Sequence, residues 1–97
     1  MNTERTSLFL MANLGSEVSK IFSAKEKGNK NLFEGAMNRA KIIISKLKEL
    51  PDTKNNKEID ILKDVILDLE NIDQKYQISA EQLKSYFYPF ILELMNT

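Results

Sequence analysis

The chain has no cysteine and no histidine. Without thiols there is no disulfide and no thiolate nucleophile. Without imidazole neither a Ser–His–Asp triad nor a zinc site with His or Cys ligands can be assembled. Glycine and proline are scarce, three and two residues in 97, which supplies too few turns for an all-β sandwich. No Gly-rich phosphate cradle of either common pattern occurs. Long apolar runs are missing as well: "LFLMA" and "YFYPFIL" fall far short of the ~20 residues a membrane helix needs. The start, "MNTERTSLFLMANLG", lacks the apolar stretch and small-residue cleavage site of a secretory signal. The expected location is therefore cytoplasmic, with no membrane partner.

An excess of one charge is also absent. Fourteen Lys and Arg balance fourteen Asp and Glu, which argues against a general nucleic-acid binder held by phosphate contacts. The balance conceals an asymmetry, because residues 1–50 carry nine basic against five acidic side chains and residues 51–97 five against nine. Helix-end electrostatics accounts for part of it. Lys46 and Lys48 suit the last turn of one helix, and Glu58 and Asp60 the first turn of the next. The alternative is a basic patch in the N-terminal half that contacts RNA or DNA.

What is present is four segments with helical periodicity, expected to form one domain over residues 1–97. In "SLFLMANLGSEVSKIFSAKEKG", Leu8, Met11, Leu14, Val18, Ile21 and Phe22 recur at three- and four-residue steps, and Gly28 suits the position just past the end. Beside this seam runs a stripe of small residues, Ala12, Gly15, Ser16, Ser19 and Ser23, that admits a closely packed helix from the same chain or from a second one. "NKNLFEGAMNRAKIIISKLKELP" gives a second helix, capped by Asn29 or Asn31 and stopped before Pro51. "KEIDILKDVILDLENI" gives a third, with Ile59, Leu62, Val65, Ile66, Leu69 and Ile72 as its seam. Ser79-Ala-Glu-Gln82 fits a capping box and opens a fourth, with Leu83, Phe87, Phe90, Ile91 and Leu94 on one face. Short polar links join the segments. The expected fold is all-α, an up-down-up-down antiparallel four-helix bundle, with the last helix kinked at Pro89 because proline removes the amide that would bond to the Ser85 carbonyl.

Chemistry is hard to find in it. Ser45 and Lys48 in "SKLK" have the spacing of a serine nucleophile with a lysine base, but none of the accompanying motifs. Asp60, Asp64 and Asp68 recur every fourth residue on the face opposite the third seam, which reads as a solvated face rather than a metal site. No catalytic residue, metal or cofactor is assigned. Two features remain. Glu17 and Arg39 flank the first and second seams and are expected to pair at the edge of the core. Phe9, Ile42, Leu67 and Leu92 fall away from their own seams, and Tyr86 and Tyr88 flank the fourth. Such leftover apolar surface is expected to be covered by a protein partner, a second copy being the simplest.

"LMANLGSEVSKIFSAKEKGN", "FEGAMNRA" and "LKSYFYPF" together resemble a small, uncharacterised all-α bacterial family, over most of the chain. The resemblance implies a helical fold and supplies no activity. More weakly, the chain resembles the HEPN bundles of bacterial defence and toxin–antitoxin modules, whose ribonuclease members carry an Arg with a His a few residues later. Neither Arg5 nor Arg39 has such a His, so that resemblance implies a non-catalytic, interaction-type relative. The sequence thus points to a helical interaction module, a homodimer or a small subunit of a larger complex. A nucleic-acid-associated subunit is the alternative.

Overall fold

Each apolar seam becomes one wall of a shared core. The structure, a computed structural model, describes residues 3–53 and 55–96, and only the backbone of residues 3–5. Its helices are α1 (Thr3–Lys27), α2 (Lys30–Glu49), α3 (Lys57–Asp68) and α4 (Ala80–Met95), with no strand among the described residues. The fold is the expected all-α antiparallel bundle. Its long dimension, 39 Å against 26 and 22 Å across, is that of α1, whose 25 residues span about 38 Å at 1.5 Å each.

Local chemistry sets most of the boundaries. Gly28 stands at φ +67°. Its amide donates to the Lys25 carbonyl, and that of Asn29 to the Ala24 carbonyl, closing α1 by a pair of backward bonds that a left-handed residue makes possible. Asn29 then turns its side-chain oxygen to the Leu32 amide at 3.0 Å and opens α2, so a two-residue link reverses the chain. Past α2, the Thr53 hydroxyl donates to the Leu47 carbonyl, occupying one of the acceptors a helix end leaves free. Asn56 caps α3 through the Glu58 amide. Ser79 and Gln82 form both bonds of the capping box on α4.

Three expectations are corrected. The first helix starts at Thr3 instead of Ser7; helical backbone extends one turn ahead of the seam. The third helix ends at Asp68, so Ile72 leaves the seam and lies fully exposed in the connection. Asp68 is no part of a solvated stripe but is buried. Its carboxylate accepts from the amides of Tyr76 at 2.8 Å and Lys75 at 3.0 Å and from the Asn71 side chain at 3.1 Å. The bond from the Tyr76 amide, assisted by those from Lys75 and Asn71 and by the Lys75 charge, outweighs burial and lowers the Asp68 pKa.

α1 is the central helix, packed along both α2 and α4, while α3 rests on α2 over a shorter stretch. Leu14, Val18 and Ile21 of α1, Met37 and Leu47 of α2, Ile66 of α3 and Phe87 of α4 are fully buried. α4 continues as helix past Pro89 to Met95. Pro89 and Ser85 are both exposed, so the missing amide falls on the surface of α4 and not in the core.

Candidate functional site

The polar pair at the core edge forms as the wheel positions imply. Arg39 Nε donates to Glu17 Oε1 at 2.9 Å, and Lys20 Nζ lies 3.6 Å from the other carboxylate oxygen. Glu17 is nearly buried and Arg39 half exposed. The carboxylate is therefore held between two cations on α1 and α2, an orienting contact between helices. Two further ion pairs, Lys41–Glu70 and Lys48–Asp60, join α2 to α3 and the residues after it.

The six surface residues divide. Phe9, Ile42, Tyr88 and Leu92 are exposed, at 53%, 55%, 58% and 41%. Leu67 is instead half-buried in the crevice between α2 and α3, beside Ile44, Lys48 and Lys63. Tyr86 is half-buried too. Its hydroxyl donates to Glu58 Oε1 at 2.5 Å, and its ring meets Phe87 edge-on at 5.1 Å and Phe90 at 5.6 Å. Burial first, then the Glu58 hydrogen bond and charge, raise its pKa far above that of an ordinary tyrosine. Tyr86 ties α4 to α3.

Sequence reasoning missed Ile61, Ile72, Ile91 and Met95 among the exposed apolar residues. Ile91 had a place in the α4 seam, but it stands at the seam's flank and is 36% exposed. With these included, the exposed surface is not one residue per helix. Five of the eight large exposed apolar side chains among the described residues, Phe9, Tyr88, Ile91, Leu92 and Met95, lie on α1 and α4.

The α1/α4 side is built by a close approach of the two helices. A Cβ on Gly15 would stand 2.8 Å from Phe87 Cβ and 2.9 Å from its Cγ, so only glycine lets the buried Phe87 ring lie against α1. Above this contact the rest of the small stripe stays open. Ser16, Ser19, Lys20 and Ser23 form one wall of a groove of about 620 Å³, and Lys84, Tyr88 and Ile91 the other. Within the stripe, then, Gly15 packs against α4 of the same chain, while Ser16, Ser19 and Ser23 line an open groove. A second, smaller cleft of about 280 Å³ separates α3 from α4, lined mainly by Ile61, Leu62, Val65, Ile78 and Leu83 and closed at one end by the Tyr86–Glu58 bond.

Among the described residues no cluster of three or more His, Cys, Asp or Glu could hold a metal ion, and no helix is long and apolar enough to cross a membrane. Compared with protein-family models, curated proteins and solved structures, the chain matches none.

Proposed function

We propose that the chain is a non-catalytic helical interaction module of the bacterial cytoplasm. It binds another protein surface through the outer side of α1 and α4 and acts as a homodimer or a small subunit of a larger complex. The observation that carries this reading is that exposed Tyr88 and Ile91 line an open groove between α1 and α4, with Phe9, Leu92 and Met95 exposed on the same two helices. Scattered exposed apolar residues are ordinary, whereas a contiguous patch rimmed by polar groups marks a contact surface. The two groups whose titration is most strongly perturbed, Asp68 and Tyr86, are both engaged in structural bonds, which favours binding over catalysis. The basic side chains Lys20, Arg39, Lys41 and Lys48 face carboxylates of the same chain, which favours a protein partner over nucleic acid.

Substitution of an exposed anchor tests the reading. Tyr88→Glu should preserve the helical circular-dichroism spectrum and weaken association on the order of a hundredfold, as buried charge at an aromatic anchor does. The readout is sedimentation equilibrium, together with co-purification from the host. A protein that neither self-associates nor loses any partner on this substitution is not an interaction module of this kind.

A further inference from the structure

We infer that the α1/α4 side is covered by a second copy of this chain, with the small stripe of α1 in each copy receiving the large side chains of α4 from the other. The inference rests on the reading of this side as a contact surface and names its occupant.

The first argument is area. The chain exposes 6458 Å², whereas a folded monomer of 11.2 kDa exposes about 5,700 Å² by the usual scaling with mass. The excess, roughly 750 Å², is close to the ~800 Å² that one partner contributes to a standard interface. A self-contact of this size would bring the chain to an ordinary surface.

The second argument is self-complementarity. Along α1, Phe9, Ala12, Ser16, Ser19 and Ser23 recur at alternating three- and four-residue steps, and so do Lys84, Tyr88, Ile91 and Met95 along α4. That is the spacing of a seam that meets a neighbouring helix. One row is mostly small and the other mostly large, and they lie side by side around the groove. They are also in register. Because Gly15 abuts Phe87 and the helices are antiparallel, Ser19 lies near the height of Lys84, Ser16 near Tyr88, Ala12 near Ile91 and Phe9 near Met95. A two-fold axis running parallel to the helices preserves height and exchanges the rows. It sets each α1 against the partner copy's α4, antiparallel, with small residues opposite large ones along the contact. A face that carries both socket and plug at matching heights is what an isologous dimer requires. The formal net charge of zero leaves no overall repulsion between copies.

The lack of native cysteine makes a direct test clean. Ser19→Cys and Lys84→Cys proteins, purified separately and mixed under mild oxidation, should form a disulfide-linked heterodimer, and neither should cross-link alone. In sedimentation equilibrium the unmodified chain should dimerise. Tyr88→Glu, which removes the plug, and Ser16→Tyr, which fills the socket at an exposed position, should each weaken the dimer on the order of a hundredfold. Ile42→Glu on α2 should leave it unchanged. A dimer that survives Tyr88→Glu and Ser16→Tyr, or is lost in Ile42→Glu, overturns this face while a module working through another face stands. Cross-linking of either single variant with itself overturns the exchanged-row geometry. A monomer at every concentration overturns the second copy. The broader reading falls with it only if Tyr88→Glu also leaves every association in host extract unaltered.

Discussion

Gly15 shows how much one missing methyl decides. Phe87 is fully buried and cannot swing away from a Cβ placed 2.8 Å from its own, so Gly15→Ala forces α1 and α4 apart. The alanine gains ~1 kcal/mol of helix propensity, while overpacking a tight contact costs about 1–3 kcal/mol. The expected result is a net loss of about 1 kcal/mol in urea unfolding; an increase in stability would show that the helices are not in close contact. The tyrosines teach a different lesson at this scale. Tyr86 and Tyr88 lie two residues apart in a run of aromatics, and periodicity places both at the flanks of the α4 seam. It cannot say that Glu58 waits on one flank while the other is an open groove, because both facts depend on where α3 and α1 come to rest.

Among the elements, what was legible is what is local. Gly28, Asn29 and the Ser79–Gln82 box act on amides within a few residues, so the sequence around them contains the whole interaction. The end of α3 is different. Leu69 and Ile72 continue the apolar period, yet the helix stops at Asp68, whose carboxylate collects amides from Lys75 and Tyr76 across a folded-back connection. Asn71 and Asp73, frequent turn residues, were the only local hint. This clasp predicts an acid dependence. The Asp68 pKa is lowered in the fold from the ordinary 3.8, so its contribution is complete above that value and is lost as pH falls through the lower, folded one. Asp68→Asn should therefore be less stable than the parent at pH 7, and the difference should narrow as pH falls below about 4. Urea midpoints measured from pH 7 to pH 2 check this, and a constant difference would contradict it.

At the scale of the whole molecule the helices are unequally held. α1 has a long neighbour on either side, whereas α3 leans on α2 over a short stretch and is separated from α4 by the 280 Å³ cleft. Beyond its short buried seam of Ile59, Leu62, Val65 and Ile66, its other ties are polar: Lys48–Asp60, the Tyr86–Glu58 bond and the Asp68 clasp. Exposed ion pairs contribute only ~0–1 kcal/mol each, so α3 should be the first helix to open. Amide exchange is the measure: α3 should exchange faster than α1, and Tyr86→Phe should speed α3 by roughly twofold to tenfold without altering α1. Equal protection in the two helices would contradict this ranking. The opposite charges of the two halves, visible in the sequence and ascribed there to helix ends, also have a place here, since α2 meets α3 and the residues after it through pairs of opposite sign.

The contact between a phenylalanine ring and bare backbone on α1 also bears on how such a chain can vary over time. Positions 15 and 87 amount to a single choice made in two places. A side chain at the first demands a smaller one at the second, so neither can drift by itself. Gly15→Ala combined with Phe87→Leu should recover part of what Gly15→Ala alone loses. In any relative that shares this bundle, the pair should be found either as glycine with a ring or as a larger residue with a trimmed one.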